Sequence, residues 1–194
     1  MMDQVKVGVI GVGRMGQRHC RVYSNMRKVQ LIGIADNNPE TGKQVANQYE
    51  IKYFNDPTDL LAEVDAVTLA TPTQSHADLA LLCMTSGVHT LIEKPITETL
   101  PQAEALVQAV EASNVIVQVG QIERFNPAYI ELKNVLEDTP TLAITLNRLS
   151  PFRGSNTDVD VVLDLMIHDT NLVLDLIGFL PARISTHGLS AYSD

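Results

Sequence analysis

The stretch Val5-Lys6-Val7-Gly8-Val9-Ile10-Gly11-Val12-Gly13-Arg14-Met15-Gly16 decides the fold. Val5, Val7, Val9 and Ile10 form a short apolar run that reads as a buried strand. It runs directly into Gly11-x-Gly13-x-x-Gly16, and a helical pattern begins near Met15. A second apolar run, Val29 to Ala35, ends in an acid, Asp36, about 20 residues past the last glycine. A lone glycine motif is weak, because glycines are common in turns. Here strand, helix, second strand and acid all stand where a bound dinucleotide needs them. Gly11 allows the tight turn, Gly13 lets the backbone approach a pyrophosphate, and Gly16 lets the helix pack on the strand. The helix N-terminus offers N–H groups and the positive end of a dipole to the phosphates. Asp36 would accept both adenosine ribose hydroxyls and repel a 2′-phosphate, which favours NAD over NADP. The alternative is a glycine-rich βα turn with no ligand.

Working outward, composition bounds the class. Of 194 residues, 45% are hydrophobic and 19% charged, ordinary for a globular chain and far from disorder. A net charge of −9 without a basic cluster argues against nucleic acid or an anionic membrane as partner. Cys20 and Cys83 each fall in a helical pattern and read as buried thiols of a reducing compartment. The N-terminus reads as entering a strand with no leader, so a cytoplasmic protein is expected. The apolar region from Val161 to Leu180 carries Asp164, His168, Asp169 and Asp175, which argues against a membrane span.

Beyond Asp36 the chain alternates helix and strand. Asn38 is a candidate N-cap before Pro39, and a helix is expected over Thr41 to Gln48. Strands are expected over Ile51 to Phe54, Val64 to Ala70, His89 to Ile92 and Val115 to Val119. Helices over Asp59 to Glu63, Ala77 to Ser86 and about Leu100 to Ala112 lie between them. This is the pattern of βαβ units in a doubly wound parallel sheet. After Gly120 the style changes. A helix over Tyr129 to Leu136, a strand over Thr141 to Arg148, a loop over Ser150 to Asp158, a helix over Asp160 to Ile177 and a strand over Arg183 to Tyr192 are expected. The reading is therefore a dinucleotide-binding domain over 1–122 and the incomplete start of an α+β domain over 123–194.

Two stretches outside the glycine turn could carry chemistry. Asp164 and His168 are spaced i, i+4, with Asn171 and Asp175 continuing the stripe among Leu165, Ile167, Leu172 and Leu176. A histidine with a carboxylate one turn away suits general base work near neutral pH. The same pair also reads as a solvated face or a hydrogen-bonded core histidine. A metal on it lacks a convincing third ligand, so no metal is expected. Lys94 follows an apolar strand between Glu93 and Pro95, where an ammonium could exchange a proton with a substrate oxygen. On position alone, a solvent-exposed lysine at a strand end is the commoner reading. Arg124 reads equally as an anion-binding group or a structural ion pair. His19, His89 and His187 receive no role.

Together these motifs resemble the glucose-fructose oxidoreductase / inositol dehydrogenase / MocA-type NAD(P)-dependent oxidoreductases. The matching segments are GVGRMG at 11–16, Asp36, TPTQSHADLA at 71–80, EKP at 93–95, GQIERFNP at 120–127 and VLDLMIHD at 162–169. The resemblance implies that Lys94, Asp164 and His168 form the catalytic group, with Lys94 or His168 taking the hydroxyl proton and Asp164 orienting. It implies a cofactor-binding set of Gly11, Gly13, Arg14, Met15, Gly16, Asp36, Thr71, Pro72, His76, Glu93 and Lys94, and a cis Lys94–Pro95 bond. On the substrate side it places Lys94, Arg124, Asn126, Asp164 and His168. The implied substrate is a sugar, nucleotide-sugar or cyclitol, with a UDP-N-acetylglucosamine-type 3-dehydrogenase resembled most, and a homo-oligomer is implied. Met166 and Asn171 depart from the family's usual glycine and aspartate, and would alter how substrate is held. The different-class alternative is a catalytically idle NAD-binding or interaction module.

Overall fold

The computed structural model describes residues 4–137, 139–149 and 160–189. The chain divides into two compact units, Met1–Gln121 and Ile122–Asp194.

The first unit is built on six strands: β1 (Val5–Ile10), β2 (Val29–Ala35), β3 (Lys52–Phe54), β4 (Ala66–Leu69), β5 (His89–Ile92) and β6 (Val117–Val119). They form one sheet in the order β3-β2-β1-β4-β5-β6, and every pairing is parallel. This is the Rossmann order, whose direction reverses between β1 and β4 and opens a crevice at the carboxyl edge. Between the strands run α1 (Arg14–Tyr23), α2 (Pro39–Tyr49), α3 (Pro57–Leu61), α4 (His76–Thr85) and α5 (Leu100–Glu111).

Alternation along β1 divides the core. Val9 packs with Val12, Cys20, Ile34, Val45 and Ala46 under α1 and α2. Its neighbour Ile10 joins Leu60, Leu69, Ala80, Cys83, Ile92 and Leu106 on the opposite face. The expected start signals are in place. Asn38 caps α2, its Oδ1 accepting the Glu40 and Thr41 amides at 3.0 and 3.2 Å, with Pro39 at the first helical position. Asp56 caps α3 in the same way ahead of Pro57. Proline suits the first turn, so α2 and α3 begin two residues before the expected Thr41 and Asp59.

In the second unit α6 (Pro127–Leu136) is followed, beyond the 141–149 segment, by one π-helical turn, Val162–Met166, that runs into α7 (Ile167–Ile177). Asp160 Oδ1 accepts the Leu163 amide at 2.9 Å, and Gly178 closes α7 at φ +72°. Two expectations fail here. Residues 141–149 and 183–189 are not strands. Their alternation marks a one-sided apolar segment, and a strand also needs a hydrogen-bonded neighbour, which the described residues of this unit do not supply. The loop expected over 150–158 and the end of the last expected strand lie outside the described residues. Among the described residues, no helix is long and apolar enough to cross a membrane.

Candidate cofactor-binding and active site

At the carboxyl end of β1 the chain turns through Gly11 at φ +84°, a conformation natural to glycine. A Cβ there would also stand 2.7 Å from Thr71 Cγ2 and 2.9 Å from the Ala70 backbone, so Gly11 lets the loop after β4 cross the turn closely. Gly13 is the N-cap of α1 and contributes no side-chain cap hydrogen bond. A Cβ added at Gly13 would meet nothing within 4 Å, so the backbone faces open space at the helix N-terminus. At Gly16 a Cβ would overlap the Gly11 carbonyl oxygen, so α1 sits directly on the turn. Arg14 and Met15 occupy the first turn of α1 between these glycines.

Asp36, half-buried at the end of β2, anchors the same turn. Its Oδ2 accepts the Val12 amide at 2.7 Å and its Oδ1 accepts the Asn38 amide at 2.8 Å. An ionised carboxylate has about four acceptor positions, so each oxygen keeps one for a ribose hydroxyl. A cleft of about 370 Å³ opens here, lined by Gly11, Gly13, Asp36, Thr71, Pro72, Ser75 and Leu79 among others. These groups fit a dinucleotide. There is room above Gly13, a helix terminus without a competing side chain, and a two-pronged acceptor one strand away.

Thr71 and Pro72 line one cleft with the glycine turn and Asp36. His76 does not. Its ring is 1% exposed, with Nδ1 2.9 Å from the Pro95 carbonyl and Nε2 2.9 Å from the Thr71 carbonyl. Both nitrogens are occupied by backbone, so His76 ties the loop after β4 to the loop after β5 and reaches a cofactor only through them. The Lys94–Pro95 bond is cis. Lys94 is half-buried at the carboxyl end of β5. Glu93 is 7% exposed, and its Oε1 lies 2.6 Å from His19 Nε2. Sequence reasoning left His19 without a role. Its only signal was a ring on the face of α1 that also buries Gly16 and Cys20.

In the second unit Asp164 lies in the π-helical turn and His168 in the first turn of α7, both half-buried. The expected polar stripe splits below them. Asp175 accepts the Tyr129 hydroxyl at 2.6 Å, the Lys133 ammonium at 2.9 Å and Arg124 Nη1 at 3.2 Å. These donors hold its carboxyl below the usual range, Tyr129 foremost. Burial first, then Asp175, pushes the Tyr129 phenol up. Arg124 also donates Nε to Asn171 Oδ1 at 2.8 Å, so of its two readings the ion pair, with Asp175, is present. Asn126, also expected on the substrate, caps α6, its Oδ1 accepting the Ala128 amide at 3.0 Å. Beside His168, Asp169 takes a two-pronged bond from Arg148 at 2.7 Å on each arm, which holds its carboxyl low.

A family description, oxidoreductase family with NAD-binding Rossmann fold (the GFO/IDH/MocA group), matches residues 5–121, more than half of the chain. The chain belongs to this family. Over 193 residues it is 38% identical to UDP-N-acetylglucosamine 3-dehydrogenase of Acidithiobacillus ferrooxidans, covering 100% of this chain and 61% of that one. Against scyllo-inositol 2-dehydrogenase (NAD(+)) of Bacillus subtilis it is 28% identical, covering 97% and 58%. A solved structure of the Acidithiobacillus ferrooxidans enzyme superposes with a TM-score of 0.89 at 36% identity, covering 99% of this chain and 62% of that one. The scyllo-inositol dehydrogenase of Lactobacillus casei, solved with NAD(H) and scyllo-inositol, shares the fold at a TM-score of 0.81, covering 91% of this chain and 57% of that one. The chain thus spans about 60% of the length of the relatives it matches.

Proposed function

We propose that this chain is the cofactor-binding and proton-transferring part of an NAD-dependent dehydrogenase acting on a secondary hydroxyl of a sugar, nucleotide-sugar or cyclitol. The observation that carries the reading is one edge of one sheet. The glycine turn after β1, Asp36 after β2, the Thr71–Pro72 loop after β4 and Lys94 after β5 all leave the carboxyl ends of parallel strands. NAD, when bound, supplies the hydride acceptor. The protein's share is position and proton transfer. The α1 N-terminus takes the pyrophosphate, Asp36 takes the adenosine ribose, and Lys94 Nζ or the His168 imidazole accepts the hydroxyl proton. Asp164 orients the reacting hydroxyl.

Among substrates, identity with the UDP-N-acetylglucosamine 3-dehydrogenase over the whole of this chain favours a UDP-N-acetylhexosamine oxidised at a ring hydroxyl. The two buried free thiols support a reducing compartment such as the cytoplasm. The test is a side-by-side titration with NADH and NADPH, followed by turnover of NAD with UDP-N-acetylglucosamine and with inositols. Tighter NADH binding and NADH formation from the nucleotide sugar are expected. Preference for NADPH would overturn the Asp36 assignment, and turnover of inositol alone would overturn the substrate class.

A further inference from the structure

Helix α1 makes two polar links to the sheet from one face, at i and i+4. His19 Nε2 lies 2.6 Å from Glu93 Oε1, and Tyr23 Oη lies 2.6 Å from Thr68 Oγ1. The first link is well shielded, with side-chain exposures of 17% for His19 and 10% for Glu93. A carboxylate oxygen only accepts, so His19 Nε2 carries the hydrogen of this bond. Glu93 is confined from the other side too. A Cβ at Gly120 would stand 3.2 Å from Glu93 Oε2, so the residue just after β6 is one that leaves the carboxylate room. The backbone there is pinned, with the Glu93 amide donating to the Leu69 carbonyl at 3.0 Å and the Gly120 amide to the Ile92 carbonyl at 2.7 Å. The next residue is Lys94. His19 lies six residues past Gly13, about 9 Å along the same helix.

We propose that His19 is a positioning residue: through Glu93 it fixes the Glu93–Lys94 loop to the helix whose N-terminus takes the pyrophosphate. This rests on the cofactor reading above. One rigid helix then sets the distance between the phosphate site and the loop expected to meet the nicotinamide ribose. Without the His19 hydrogen, Glu93 loses its hydrogen bond to α1, while the His76 link to Pro95 remains. The adenosine end of the site, built from Gly11, Gly13 and Asp36, keeps every contact it has.

The test separates the two ends of the cofactor. Calorimetric titration of the full chain with NADH and with ADP, which lacks the nicotinamide and its ribose, would be run for wild type, His19→Leu and His19→Gln. His19→Leu is expected to weaken NADH about 10- to 100-fold, the worth of a lost hydrogen bond to a charged group. It should leave ADP within about 2-fold. His19→Gln, which restores a donor, should recover most of the NADH affinity. Equal losses for both probes, which a merely structural histidine would give, overturn the proposal. So does no loss for either. If wild type binds neither probe, the cofactor reading fails and the proposal with it; if wild type binds both and the variants bind alike, His19 alone is misassigned.

Discussion

The Asp36 carboxylate accepts the Val12 amide at 2.7 Å, which joins the end of the second strand to the glycine turn of the first. The acid that would read the ribose therefore also shapes the loop that would receive the phosphates. Asp36→Ala is expected to weaken NADH by about 10- to 100-fold, as for lost charged hydrogen bonds. NADPH should weaken less, because the repulsion of a 2′-phosphate goes with the carboxylate. Parallel NADH and NADPH titrations check this, and an unchanged ratio between them would count against the assignment.

Gly13 and Gly16 look alike in sequence but predict opposite defects. A methyl group at Gly13 projects into open space, and its φ of −64° suits alanine. Gly13→Ala should keep or slightly raise Tm while weakening NADH about 10-fold or more by filling the pyrophosphate position. Gly16→Ala drives a methyl group into the Gly11 carbonyl. It should cost about 3 kcal/mol or more, a fall of about 6–12 °C in Tm. Thermal scans beside titrations would show whether the two defects separate.

His76→Leu removes the ring that meets the Thr71 and Pro95 carbonyls while keeping much of its volume. A neutral imidazole donates from one nitrogen, so at least one buried carbonyl loses its donor and a loss of about 1–3 kcal/mol is expected in urea unfolding. A stability within about 0.5 kcal/mol of wild type would show that the ring does not hold the two loops together.

Asp175 gives the second unit an acid dependence. Its folded pKa is depressed by Tyr129, Lys133 and Arg124, so the unfolded chain takes up the proton more readily. Its stabilising contribution is present above the ordinary carboxyl value of about 3.9 and is lost as pH falls through the lower folded value. Asp175→Asn should be less stable at neutral pH and lose less on acidification. Unfolding followed by helical signal from pH 7 to pH 3 checks this; parallel curves for variant and wild type would contradict it.

The cofactor half was legible because its signals are local. The turn, its glycines and the acid fall within 32 residues, from Val5 to Asp36, and each has one physical job. The residues that were not legible depend on partners far along the chain. His19 meets Glu93, 74 residues away, and Arg124 meets Asn171, 47 residues away. His76 sat in a motif expected to touch the cofactor, but its burial was hidden because the acceptors that hold it are backbone. Alternation at 141–148 signalled a sided segment without revealing whether any strand lay beside it.

The two thiols divide the first unit between them. Cys20 belongs to the core under α1 and α2, and Cys83 to the core on the opposite face. Burial pushes each to about 11, so at pH 8 only roughly one thiol in a thousand is ionised. Each cysteine is thus a silent reporter for one side of the sheet. Its labelling rate measures how often that side opens, so alkylation mapped by mass spectrometry would reveal whether the two faces breathe together or separately, with no probe attached to the native protein.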